Sequence, residues 1–315
     1  MLLRNAFFYT TGIIFLALAK AKNILKGYSS PKPFNMSELE RCIEYDIRVV
    51  DEWLSYLSSY TQNDRALEGK HVLELGPGSD LGIGLYLLSK GCRKYSACDV
   101  NNLIESTPDK FYEQLLQKIA ALDNQANINH LKAHLDSAKA GKPSQLNYVL
   151  RDDFDLVTAF GPETVDIVFS QAAFEHFDDI ETTIAQLAAV CKPNAVLVLE
   201  IDLRTHSRWI TPKDPNNIYR YSDTLYNIFK FRGSPNRVRP HQYIEAFKQN
   251  GWQDIELIPG VQVGAHQDSY SGMNKQFSGL RNQMDYLTIK ICARKQTASN
   301  ASQKEAASSL SAVGR

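Results

Sequence analysis

The stretch His71-Val-Leu-Glu-Leu-Gly-Pro-Gly-Ser-Asp-Leu-Gly82, followed by Tyr95-Ser-Ala-Cys-Asp99-Val100, decides the fold. Val72, Leu73 and Leu75 form an apolar strand that must stop at a turn. Gly76 and Gly78 remove the β-carbons that would keep backbone from closing on a ligand. A helix from about Leu81 to Ser89 then points its N-terminus at whatever is bound. Asp99 ends the second strand, where a carboxylate accepts hydrogen bonds from both ribose hydroxyls. Strand, glycine turn, helix, strand and terminal acid together describe a nucleotide cradle.

The dinucleotide fingerprint wants a third glycine at position 81, and this chain has Leu81 there with Gly82 one residue late, which weakens an NAD oxidoreductase reading. Glu74, two residues before Gly76, completes Glu-x-Gly-x-Gly. That pattern resembles the first motif of class I S-adenosylmethionine-dependent methyltransferases. The resemblance implies S-adenosyl-L-methionine as cofactor, with Glu74 organising the turn around its methionine moiety. It also implies an α/β fold: a Rossmann-like seven-stranded, mostly parallel sheet with helices on both faces and the last strand antiparallel beside the fifth.

Apolar runs supply the remaining strands. Asn147–Leu150, Val165–Ser170 and the continuous run Ala195–Ile201 suit a parallel sheet covered on both faces, and Trp252–Ile258 and Met284–Cys292 complete seven. Helices are expected over Thr107–Leu122, Ile128–Ala140, Asp178–Cys191 and Pro240–Asn250. Before the core, Ser37-Glu-Leu-Glu40 forms a capping box, and Leu39, Ile43, Ile47, Val50, Leu54 and Leu57 make one helical stripe. In the family such a leading helix often folds over the cofactor; plain core packing of the stripe is the alternative.

The resemblance also implies site residues. In Arg151-Asp152-Asp153-Phe154, after the third strand, Asp152, with Asp153 second, stands where relatives hydrogen-bond the adenine amino group. An acidic loop facing water is the competing reading. Ser170-Gln-Ala-Ala-Phe-Glu-His176-Phe resembles the segment that many small-molecule methyltransferases place beside the reacting methyl. It carries neither the Asp/Asn-Pro-Pro-aromatic tetrad of base amino-methyltransferases nor a Pro-Cys nucleophile, which argues against base methylation. A sulfonium donor is already activated, and the protein must align the reactants and remove a proton from a hydroxyl acceptor. His176 and His206, each after the C-terminal end of a strand, are the candidate bases, with pocket lining as the alternative role. Glu200 and Asp202 either position the acceptor or bond within the loop.

Between Arg204 and Pro240 lie eight Lys and Arg side chains against Asp214 and Asp223, a formal charge of +6 interleaved with aromatic rings. This is either an acceptor site for an anionic small or lipid- or glycan-linked molecule, or a basic face resting in water or on anionic lipid. The whole chain, 315 residues with 43% hydrophobic and 22% charged, has zero formal net charge, so no global field recruits nucleic acid. Its five cysteines lie apart in apolar surroundings without zinc-like spacing, and no metal site is read.

The run Ala6–Ala19 is uncharged, with Arg4 before it and Lys20, Lys22 and Lys26 after it. It is shorter than the roughly 20 residues of a comfortable bilayer span. A secretory signal, a docked helix and a monotopic or marginally spanning anchor compete; the anchor, with the catalytic part facing the cytoplasm, fits the flanking lysines. The expected organisation is residues 1–26 as that segment, 35–295 as the catalytic domain with insertions at about 126–145, 204–240 and 261–283, and 296–315 as a disordered tail. The expected function is O-methylation of a small or membrane-associated anionic acceptor. An RNA ribose or phosphate methyltransferase, and a non-catalytic fold that binds the cofactor or a partner protein, stay open beside it.

Overall fold

The computed structural model of the chain describes residues 2–27, 37–102, 104–264 and 267–297. Residues 298–315, most of the expected tail, lie outside the described residues. One sheet organises the fold. Its strands are β1 (His71–Leu75), β2 (Lys94–Asp99), β3 (Leu146–Leu150), β4 (Val165–Gln171), β5 (Cys191–Asp202), β6 (Trp252–Pro259) and β7 (Thr288–Lys295). They run in the order β3-β2-β1-β4-β5-β7-β6. The pairs from β3 to β5 are parallel, and β7 lies antiparallel to both β5 and β6. The Rossmann-like sheet and its antiparallel last strand are as the resemblance implies.

The two-sided hydrophobicity of the central strands is used on both faces. Val72, Ile167 and Val198 pack in one layer under α2 (Leu39–Thr61), α3 (Gly82–Ser89), α4 (Asp109–Leu122) and α5 (Ile128–Lys139). Leu73, Leu75, Val168 and Leu199 pack in the other under α6 (Leu156–Phe160), α7 (Ile180–Val190) and α8 (Pro240–Gln249). Because β1 is flanked by β2 on one side and β4 on the other, chain direction across the sheet reverses there. The crevice beyond the carboxyl ends of β1 and β4 is the switch point where open α/β sheets bind ligands.

Two expectations are corrected locally, while α2 takes Glu38 as its N-cap, with Glu38 paired to Arg41. The α7 helix ends at Val190, because Cys191 already pairs with Val165 as the start of β5. The last strand begins at Thr288 rather than Met284: the carbonyls of Asn282, Gln283 and Tyr286 accept from the Arg239 guanidinium instead of joining a ladder.

The N-terminal run belongs to α1 (Leu2–Lys26), longer than the apolar run alone, and by length and composition able to cross a membrane. One of its faces is docked on the domain. Asn217 Nδ2 donates to the Phe8 carbonyl at 2.9 Å, the Tyr221 hydroxyl to the Tyr9 carbonyl at 3.0 Å, and Lys20 Nζ to the Ile228 carbonyl at 2.6 Å. Ile13 and Leu16 pack on a small core of Ile218, Tyr219, Tyr221 and Met284. The opposite face leaves Leu3, Phe7, Ile14, Leu18 and Leu25 exposed, recurring at the spacing of one helical stripe.

Candidate active site

The β1 exit shows why glycine is needed. Gly76 and Gly78 have φ of +71° and +77°, the left-handed region that side chains avoid. A Cβ on Gly76 would lie 2.6 Å from the Cβ of Ala173, which follows β4. Nothing lies within 4 Å of a Cβ on Gly78, so that position faces open space.

Carboxylates gather around this turn. Glu74 is buried and accepts the buried Tyr95 hydroxyl at 2.5 Å. Burial, opposed by that hydrogen bond and reinforced by Asp80 and Asp99, pushes its carboxyl up to about 8. Asp80 accepts the Gly82 N–H at 2.9 Å at the start of α3. Asp46, from the apolar stripe of α2, reaches the same place. Burial, then the neighbouring Asp80 carboxylate, hold it well above the usual carboxylate range, and its Oδ2 has no hydrogen-bond partner. Asp99 closes β2 opposite Leu150 of β3, and its Oδ1 accepts the Asn101 N–H at 2.9 Å, which fixes the carboxylate's orientation; burial raises its pKa. Like charges crowded at a turn with open space above it suit a ligand that brings a positive charge.

The sequence singles out Glu74, Gly76, Gly78 and Asp99 around this turn; Asp46, Asp80 and Tyr95 join them only in the fold. The missed signal for Asp46 is an acid inside a helical stripe otherwise made of Ile43, Val49, Val50 and Trp53.

Of the two acids after β3, Asp153 is engaged by Arg151 in a two-pronged ion pair of 2.8 and 2.7 Å, which draws its carboxyl down to about 2. Asp152 is exposed, and its carbonyl accepts from Arg232 at 2.7 Å. Phe154, with φ of +53°, tilts against Phe177 at 4.9 Å between ring centres. That pair supplies an apolar wall beside Asp152.

Beyond β4, the chain makes a 3-10 turn, Phe174–His176. His176 Nδ1 lies 2.7 Å from the Gly233 carbonyl, so in the neutral ring Nδ1–H donates and Nε2 keeps its lone pair. Burial, then the nearby His206, lower its pKa to about 4. His206, after β5, meets it edge to face at 4.8 Å, so the fold unites the two histidines that the sequence separates. Its pKa is also lowered, by loss of hydration first. Glu175, immediately before His176 in sequence, is buried. Glu200 and Asp202 are occupied in ion pairs, with Lys290 at 2.8 Å and Arg204 at 2.7 Å.

The basic segment is not the open anion cradle that its composition suggests. Arg220 is buried and forked onto Asp214 at 2.7 and 3.0 Å. Arg237 donates to the Ile218 and Tyr221 carbonyls and pairs with Asp223. Arg239, fully buried, holds three carbonyls with its guanidinium 4.8 Å from the centre of the Tyr219 ring. These forks stitch a long insertion together, because its backbone carbonyls lack ladder partners and a planar donor can take several at once. Arg208 and Lys213 remain exposed there.

A family model described as a methyltransferase domain matches residues 43–257. No curated protein matches the chain. Among solved structures, a CurJ carbon methyltransferase aligns at 14% identity and a TM-score of 0.46, over 92% of this chain and 67% of that one. An S-adenosylmethionine-dependent methyltransferase from Mesorhizobium loti aligns at 12% and 0.42, over 78% and 100%. Phosphoethanolamine N-methyltransferase 2 of Haemonchus contortus, solved with S-adenosyl-L-methionine, aligns at 13% and 0.43, over 76% of this chain and 53% of that protein, about half its length.

Proposed function

Because the chain belongs to the methyltransferase-domain family, as a class I S-adenosylmethionine-dependent methyltransferase, we propose that it transfers the methyl group to a hydroxyl oxygen of an acceptor presented at a membrane surface. The observation that carries the donor half is the carboxylate group of Asp46, Glu74, Asp80 and Asp99 around the Gly76–Gly78 turn. S-adenosylmethionine carries a sulfonium and an ammonium, and carboxylates kept unhappy by burial and mutual repulsion gain most from such a ligand. Glu74, Gly76 and Gly78 receive the methionine end, Asp99 the ribose and Asp152 the adenine.

In the transfer, an acceptor oxygen attacks the methyl carbon while the carbon–sulfur bond breaks, giving a methyl ether or ester, S-adenosylhomocysteine and a proton. The protein's task is alignment and the fate of that proton. The His176–His206 pair supports a hydroxyl acceptor, since both rings are held neutral and can accept a hydrogen bond from it. The exposed apolar stripe of α1, flanked by Arg4, Lys20, Lys22 and Lys26, supports an acceptor at a lipid surface with the helix lying in the interface. Docking of the other face on residues 217–228 speaks for a helix lying on the membrane rather than spanning it.

The test supplies methyl-labelled S-adenosylmethionine to the purified full chain with separated lipid, glycan, RNA and small-molecule fractions. Label on oxygen in a lipid-linked fraction, identified by its stability to alkali as an ether or its release as methanol from an ester, is the expected result. Label on nitrogen, carbon or RNA would overturn the acceptor assignment.

A further inference from the structure

The carboxylate of Glu175 presents a problem that the protein alone does not solve. The residue is 2% exposed, and neither carboxylate oxygen has a hydrogen-bond partner. Burial, then the nearby Asp202 carboxylate, hold this carboxyl well above the usual carboxylate range. Taking up a proton removes the charge but leaves the oxygens, and now a hydroxyl, still without partners. A buried carboxylate escapes this by pairing with a cation or coordinating a metal, as well as by neutralising.

The neighbours are the ones a metal needs. Glu175 Oε1 lies 4.0 Å from His176 Nε2. One ligand atom each from Glu175, His176 and His206 lie within 4.8 Å of one another. The His176 ring is already oriented as ligating imidazoles are: Nδ1–H is engaged by the Gly233 carbonyl, which leaves Nε2 as the lone-pair nitrogen. His206, an exposed residue on the loop after β5, sets one edge of its ring against His176.

We propose that Glu175, His176 and His206 form a binding site for one divalent transition-metal cation. Two imidazole nitrogens and one carboxylate suit zinc, manganese, cobalt or iron rather than magnesium or calcium, and three protein ligands leave positions open for water or an acceptor oxygen. Metal–ligand bonds of about 2.0–2.2 Å place two ligand atoms at most about 4.4 Å apart. The set is therefore slightly wide as it stands, and the exposed His206 closes it by rotation. For its role in the reaction, though not for binding, the inference rests on the hydroxyl-acceptor reading: a cation here would hold the acceptor oxygen and ease loss of its proton.

The competing metal site is the pair of exposed His130 and half-buried His134 on α5, whose Nε2 atoms lie 3.0 Å apart. The experiment therefore titrates Co²⁺ into the chelator-treated full chain, wild type and three variants, and follows the visible d–d absorption. Expected are one equivalent bound in the wild type and in the His130→Ala/His134→Ala variant, and affinity weakened by more than about tenfold in His206→Ala and in Glu175→Gln. His206 is exposed on a loop, so its variant stays informative where Glu175→Gln fails to fold. No binding, or binding that survives His206→Ala and vanishes with the α5 pair, would overturn the proposal. Cobalt bound at these residues without methyl transfer to any hydroxyl would overturn the acceptor reading alone, and hydroxyl methylation without cobalt binding the metal site alone.

Discussion

A Cβ on Gly82 would lie 2.0 Å from Oδ2 of Asp46, so the leading helix and the first turn of α3 are fitted together with no room for a methyl group. Through this contact α2 reaches the cofactor turn. The same helix is packed on the core by Val49, Val50, Trp53 and Leu57.

Gly82→Ala should therefore displace Asp46 and cost about 1–3 kcal/mol by overpacking, with weaker binding of S-adenosylhomocysteine. Chemical denaturation and calorimetric titration check both. Adding Asp46→Ala should return part of the stability but none of the affinity.

The pKa of Glu74, held above its ordinary value at about 8, makes its stability effect run opposite to that of a salt-bridged acid. The folded chain binds this proton more tightly than the unfolded one. The contribution is complete below about pH 4.5 and is lost as pH rises through about 8. Glu74→Gln should raise the melting temperature more at pH 8.5 than at pH 5.5, while weakening cofactor binding. In the wild type, cofactor affinity should rise with pH across the same window as the carboxyl loses its proton, and calorimetry in buffers of different ionisation heat should detect the proton released on binding.

Asp99→Ala should weaken S-adenosylhomocysteine binding by about 1.5–3 kcal/mol, the range for loss of a charge-assisted contact. Asp153→Ala should change it little, since Arg151 already holds that carboxylate. Unaltered affinity in the first variant would remove the ribose contact from the site.

Arg220→Ala leaves the buried Asp214 without its counter-charge, and breaking such a pair costs about 3–5 kcal/mol. Arg208→Ala, at an exposed position, should cost less than about 0.5 kcal/mol. Denaturant titration of the two variants separates an arginine that builds the fold from one that faces outward.

Phe7→Asp and Leu18→Asp place charge on the exposed stripe of α1 without touching its docked face. Co-sedimentation with anionic vesicles should fall severalfold in both, with the melting temperature unchanged. Retained sedimentation would show that this face does not meet lipid.

What the sequence discloses is what depends on neighbours along the chain. The glycine turn, Asp99 and the strand runs are local patterns with one structural solution each, and the sheet follows from them. Asp46 stays hidden because it sits 28 residues before Glu74 and is disguised by the stripe around it. The arginines of 204–240 mislead for a related reason. Charge composition is blind to whether Arg220, Arg237 and Arg239 find carboxylates and carbonyls inside the fold. His176 and His206 are each recognisable, but their 4.8 Å approach, and the unpaired Glu175 beside them, exist only once β4 and β5 lie side by side.

The loop after β5 is cinched at its base: the Thr205 N–H donates to the Pro215 carbonyl, and its hydroxyl accepts the Ile218 N–H. The other end of that knot, at Asn217 and Tyr221, grips the carbonyls of Phe8 and Tyr9. The side chains that hold α1 on the domain and the residue that precedes His206 thus belong to one hydrogen-bonded knot, so the seat of the N-terminal helix and the loop after β5 share their anchorage.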